Sequence, residues 1–289
     1  MTDHDHDADH HDEGLAYDVG TILTRRRMIG LAVGAGAAVF LAACGGDDSG
    51  ASPASTTAGA AGGTASSAGA TTAASSVGDA ALSAVPEETA GPFPGDGSNG
   101  ANALNQSGIV RSDIRSSFGS ASGTADGVPI DLEMTIVDVA TNKAVEGAAV
   151  YVWHCDAEGR YSMYSNGVAD ENYLRGVQVT DASGLVKFTS VYPACYSGRW
   201  PHIHYEVYPS VDAITSSSNK VATSQLALPD DVNTAVYATS QYDGSAANYS
   251  QISLATDMVF SDGTTNEVPT VTGSTSEGYK VAIKSPIAF

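Results

Sequence analysis

Ile130-Asp131-Leu132-Glu133-Met134-Thr135-Ile136 alternates apolar and polar side chains without a break. Side chains of a strand point to opposite faces in turn, so this run reads as a strand with one face against a core and the other toward water. Similar short runs recur at 149–153, 185–191, 202–208 and 279–283. Turn signals separate them, among them Asp156-Ala157-Glu158-Gly159 and Asp181-Ala182-Ser183-Gly184. No long amphipathic pattern competes, and only a short helix near Asp230 to Ala238 is expected. Strands at this spacing predict an all-β fold, a sandwich of two sheets.

Working outward, the sandwich is expected over residues 85–289, preceded by two segments of different character. Residues 1–43 read as a targeting segment. Thr24-Arg25-Arg26-Arg27-Met28 is followed by an uncharged apolar run to Ala43, in the manner of a twin-arginine signal. At about 1.5 Å per residue that run spans roughly 24 Å, short of the ~30 Å hydrocarbon core, so a permanent span is the weaker reading. It ends Leu41-Ala42-Ala43-Cys44, which resembles a lipobox with Cys44 as the lipidated residue. His4, His6, His10 and His11 lie in the leader and would be lost on cleavage. Residues 44–84 carry the Cys and a Gly, Ala, Ser and Thr rich linker, expected to be disordered, with an r.m.s. reach of roughly 35 Å. The expected location is therefore the cell envelope, with the membrane reached through the lipid anchor.

Thirty-three acidic and 13 basic side chains give a formal charge of -20. Ten of the basic residues are scattered from Arg111 to Lys284, so no cluster is available for phosphates and nucleic acid is excluded as a partner.

Behind the leader only three histidines remain, and two of them are His202 and His204 in Trp200-Pro201-His202-Ile203-His204-Tyr205. On a strand these two imidazoles project from one face, while Ile203, Tyr205 and Val207 take the other. Imidazole suits zinc, copper, iron and nickel alike, so the pair alone names no metal. Glu206 shares the face and leaves a His-x-His-x-Glu site conceivable, and His154 reads as a hydrogen-bonded core or rim histidine.

Wider context narrows the choice. Trp153-His154-Cys155-Asp156-Ala157-Glu158-Gly159-Arg160-Tyr161-Ser162, Leu174-Arg175-Gly176 and Tyr192-Pro193-Ala194-Cys195-Tyr196-Ser197-Gly198-Arg199-Trp200-Pro201-His202-Ile203-His204 follow one another in that order. Glu88-Thr89-Ala90-Gly91-Pro92-Phe93, Val110-Arg111-Ser112-Asp113-Ile114 and Thr223-Ser224-Gln225-Leu226 agree with them. Together they resemble the intradiol ring-cleavage dioxygenases, similar to the protocatechuate and catechol enzymes, and most of all an exported, lipoprotein-like branch.

The resemblance implies a β-sandwich enzyme holding one non-haem Fe(III). Tyr161, Tyr196, His202 and His204 would be its ligands, with Tyr161 rather than the nearby Tyr164 as the first phenolate. Its substrates would be a small aromatic vicinal diol and O2, and its product a muconate-type dicarboxylate. Tyr196 would leave the metal and take up a proton as the diol binds. Arg199 would be catalytic, stabilising negative charge, and Gln225 would orient ligands or intermediates. Pro92, Phe93 and Trp200 are the implied ring contacts. Cys195 before Tyr196 and Ala227 after Leu226 depart from the family pattern and alter the pocket shape. With Cys44 lipidated, Cys155 and Cys195 form an even pair in an oxidising compartment, which makes a disulfide between them an expectation. A non-catalytic module binding a sugar or phenolic compound, and a different metalloenzyme built on the two histidines, are the rival readings.

Overall fold

The computed structural model describes residues 82–289, so the leader, the lipobox Cys44 and nearly all of the expected linker lie outside the described residues. The strands are β1 Pro129–Asp138, β2 Lys143–Ala144, β3 Ala149–Trp153, β4 Arg175–Val179, β5 Leu185–Val191, β6 His202–Tyr208, β7 Ala222–Ala227, β8 Thr270–Ser274 and β9 Gly278–Ile287. Two short helices, α1 Asp230–Tyr237 and α2 Ser245–Tyr249, lie between β7 and β8. All five expected strand runs are strands, and α1 stands where the short helix was expected. Among the described residues no helix is long and apolar enough to cross a membrane.

Two sheets form. In the first, β1 pairs with β9 in parallel and with β2 and β5 antiparallel, and β8 follows β9. The second is antiparallel in the order β4-β3-β6-β7. Ile130, Leu132, Met134 and Ile136 of β1, with Val281 and Ile283 of β9, share one core cluster with Val150, Val152, Ile203, Tyr205 and Val207 of the second sheet. This interleaving is the sandwich that the alternation required.

The sheets differ in how much of each strand is covered. β1 and β9 alternate between buried and more open positions, whereas every residue of β3, β6 and β7 is buried. In β6 the polar alternation His202, His204, Glu206 is therefore hidden as fully as the apolar one. Buried polar atoms need partners, so the second face of this sheet must be a polar constellation rather than a solvated surface. β4 and β7 escaped the sequence reading because Arg175-Gly176-Val177-Gln178-Val179 and Ala222-Thr223-Ser224-Gln225-Leu226-Ala227 lack apolar alternation.

Both edges of the second sheet are occupied. Beside β4, Arg111 N donates to Val177 O and Val177 N to Ile109 O. Gly176 allows the approach, since a Cβ there would lie 2.4 Å from Ile114 Cγ2. Beside β7, Glu88 N donates to Thr223 O, which starts the 88–95 segment on its course toward the polar face.

Candidate active site

Register places Arg175, Trp153, His204 and Gln225 in one row across β4, β3, β6 and β7. His202 lies two positions along the same face of β6. The row is rigid. Trp153 stacks on His204 at 4.9 Å between centroids and 6° between planes, and Tyr151 stacks on Trp153 at 5.0 Å.

Tyr161 is delivered by a turn that Asp156 organises. Asp156 Oδ1 accepts from Glu158 N and Arg160 N, each at 2.9 Å, and Oδ2 accepts from Tyr173 OH at 2.8 Å. Gly159 holds φ 83, and a Cβ there would meet Tyr196 Cβ at 3.3 Å. The glycine thus supplies the left-handed turn and lets the two tyrosine loops approach. The Tyr196 loop is tied to α2, since Cys195 N donates to Ser245 Oγ at 3.1 Å and Asn248 Nδ2 to Cys195 O at 2.9 Å.

These elements converge four donor atoms. His202 Nε2 lies 3.1 Å from His204 Nε2, 3.1 Å from Tyr196 OH and 3.5 Å from Tyr161 OH, and the two phenol oxygens are 3.5 Å apart. Donors held ~2 Å from a common first-row metal ion at ordinary ligand angles lie roughly 2.8 to 3.5 Å from one another. The spacing fits one ion. His202 Nδ1 is 2.5 Å from Trp200 O and must carry the proton to make that bond, which leaves Nε2 as a bare lone pair. Burial depresses both imidazoles well below their ordinary range, so both stay neutral. It pushes the buried Tyr161 phenol well above its own, so a cation at the centre is what would draw that proton away. Among the described residues no group of three or more His, Cys, Asp and Glu gathers. At this cluster, two imidazoles and two phenols are what the described residues offer a metal.

Arg199 lies beside the cluster with a side chain 1% exposed, its Nε on Asp257 Oδ2 at 3.0 Å and its Nη2 on Gln225 Oε1 at 2.7 Å. Gln225 Nε2 continues to Thr89 O at 2.8 Å. Gln225 therefore stands across the strand from His204 and steers the guanidinium. Phe93 packs its ring 5.0 Å from Tyr161, with half-buried Pro92 next to it. Trp200 differs from expectation: its indole packs with Ala227, Val259, Phe260 and Tyr249, and Nε1 donates to Leu228 O at 2.8 Å. Only its backbone serves the site, through the carbonyl that orients His202.

Other side chains are spoken for. Glu206 Oε1 is 2.5 Å from Lys220 Nζ and Oε2 accepts from Tyr208 OH at 2.7 Å, so no His-x-His-x-Glu site forms. His154 has both ring nitrogens engaged, on Cys155 O and Ser190 Oγ. Tyr164 OH accepts from Gly95 N and donates to Asn99 Oδ1, away from the four donors. The expected disulfide is absent. Cys155 and Cys195 are buried free thiols, the first turned to Ala194 O at 3.7 Å and the second to Arg199 O at 3.5 Å. Burial pushes the Cys195 thiol up to about 12 and that of Cys155 well above its ordinary value, so both remain protonated.

Two residues of the site carried no role in the sequence reading. Arg175 is buried and donates to Phe93 O, Pro94 O and Ser162 O at 2.8 to 2.9 Å, clamping the 93–94 segment onto the Tyr161 loop. Its place in Leu174-Arg175-Gly176 was the only signal. Asp257, in an irregular segment far along the chain, gave none.

Residues 111–231 match the family model described as Dioxygenase, a span that contains all four donors, Arg199 and Gln225. Among solved structures, the intradiol ring-cleavage dioxygenase from Tetranychus urticae is 23% identical, with 72% of this chain covering 95% of that one at TM-score 0.57. A second dioxygenase is 22% identical, with 71% covering 94% at TM-score 0.56. At these identities the structural likeness is one of fold. No curated protein matches at a significant level. The 111–231 segment thus matches the Dioxygenase family, and the sandwich has the fold of the intradiol ring-cleavage dioxygenases.

Proposed function

We propose that the protein holds one ferric ion on Tyr161, Tyr196, His202 and His204, and uses O2 to cleave a catechol-type vicinal diol to a muconate-type dicarboxylate. The convergence of two phenol oxygens and two imidazole nitrogens, with His202 Nε2 at 3.1 to 3.5 Å from the other three, carries this reading. Phenolates are hard anionic donors that favour a ferric ion, whereas two histidines and a carboxylate suit a ferrous one. When bound, the ion supplies Lewis-acid activation of the deprotonated diol.

The chain's own residues supply the rest. Tyr161 is buried and Tyr196 half-buried, so Tyr196 is the phenol able to turn outward, and its oxygen takes up a proton from the arriving diol. His202 stays fixed by the Trp200 carbonyl and His204 by the Trp153 indole. Arg199, permanently charged and locked by Asp257 and Gln225, stabilises negative charge that develops on the substrate. Phe93, its carbonyl held by Arg175, packs its ring against Tyr161 and helps fix that phenol in place.

Product analysis under 18O2 tests the reading, with catechol, hydroxyquinol and protocatechuate as trial substrates. We expect at least one to yield a ring-opened dicarboxylate carrying both labelled atoms. Ring opening outside the diol to a semialdehyde, or no consumption of any diol by iron-loaded protein, would contradict it.

A further inference from the structure

We infer that Asp257 is a positioning residue for this reaction, setting the orientation of Arg199. The inference rests on the proposed role of Arg199. Asp257 lies beyond the 111–231 family match, on a segment between α2 and β8. Its side chain is fully buried and its two oxygens divide their work. Oδ1 accepts from Val259 N at 2.8 Å and Phe260 N at 3.1 Å, which closes its own turn. A turn cap requires no more than that one oxygen.

Oδ2 reaches across to the site, accepting from Arg199 Nε at 3.0 Å and from Trp200 N at 2.6 Å. The same carboxylate oxygen thus holds a guanidinium and the amide of the next residue. The carbonyl of that residue, Trp200, accepts from His202 Nδ1 at 2.5 Å. On the far side of the guanidinium, Gln225 Oε1 takes Nη2 at 2.7 Å, and the Phe260 ring centroid is 5.9 Å from Arg199 Cζ. Charge-assisted bonds in a dry site give direction as well as energy. A planar donor gripped at Nε by Asp257 and at Nη2 by Gln225 has its plane decided before substrate arrives.

A double-mutant cycle on the full chain, with iron content measured for every variant, separates positioning from general support. We expect Asp257→Asn to keep bound iron and KM within about threefold while lowering kcat by roughly ten- to a hundredfold. In an Arg199→Ala background the same substitution should change kcat by less than about twofold, because its effect passes through the missing guanidinium. A multiplicative loss in the double variant, or an unchanged kcat in the single one, would overturn the inference.

A second readout needs no turnover. In 15N-arginine-labelled protein without iron, the Arg199 Nε–H signal, assigned by its loss in Arg199→Lys, should exchange slowly with solvent and faster in Asp257→Asn. Equal exchange in both would likewise overturn it. Should the Asn variant not fold, Asp257→Glu, which keeps the charge and shifts its oxygens, enters the same cycle with the same expectations. Failure of the underlying reading is distinguishable: normal turnover in Arg199→Ala would remove the role of Arg199, while the exchange measurement would still report the Asp257 contact.

Discussion

Tyr161→Phe is expected to yield a folded protein that no longer retains ferric iron and whose turnover falls by about a thousandfold or more, roughly 4 kcal/mol at the transition state. The ring stays, so its packing 5.0 Å from Phe93 is kept, and the burial that supports the fold is unchanged. Only the oxygen is lost, and with it an anionic donor next to Tyr196 and His202. A trivalent ion left with one phenolate and two neutral imidazoles is short of countercharge in a buried site. Tyr164→Phe is the matched control. It deletes a hydroxyl that bonds Gly95 N and Asn99, three residues along the chain, and should cost about 1 kcal/mol of stability while leaving iron in place. Iron quantification and steady-state rates on the two variants decide the matter, and the opposite ranking would defeat the ligand assignment.

Arg199→Ala should lower kcat by about a hundred- to a thousandfold while leaving iron bound, since none of the four donors is altered. It should also be unstable. Arg199 and Asp257 are buried at 1% and 0% exposure, and deleting one partner leaves the other as an uncompensated buried charge, a loss of about 3 to 5 kcal/mol. Urea denaturation alongside kinetics reads both effects. Arg199→Lys keeps the charge but not the planar fork, so it should recover stability more than rate. Wild-type kcat in Arg199→Ala would refute the proposed role.

The parts of this molecule that the sequence discloses are those where a pattern and a solvent boundary coincide. β1 and β9 border water on one face, so the periodicity of Ile130 to Ile136 and Tyr279 to Ile283 shows through. β7 is buried on both faces with small and polar residues, and no alternation can mark it. The histidine pair was readable because a strand puts residues two apart on one face. The tyrosines were not readable that way: Tyr161 and Tyr196 sit on loops, and only their resemblance to a family pattern singled them out.

The disulfide expectation failed because parity and compartment say nothing of direction. Cys155 and Cys195 come from neighbouring loops, yet each thiol is turned to a different carbonyl. Trp200 was placed against the ring of the substrate because the family resemblance implies that the corresponding segment lies near the pocket. A strand entrance can present a carbonyl inward while its side chain joins another cluster, as Trp200 does. Asp257 was invisible because a solitary aspartate in an irregular segment resembles any turn residue until the fold brings it under Arg199.

The most direct test of the central claim is a visible absorption spectrum of the purified protein with iron quantified on the same sample, recorded before and after catechol is added without oxygen. The account predicts about one iron per chain and a tyrosinate-to-ferric charge-transfer band that shifts when the diol arrives, both lost in Tyr161→Phe. A colourless protein that remains so after ferric reconstitution, or one that retains zinc or copper instead, would contradict it.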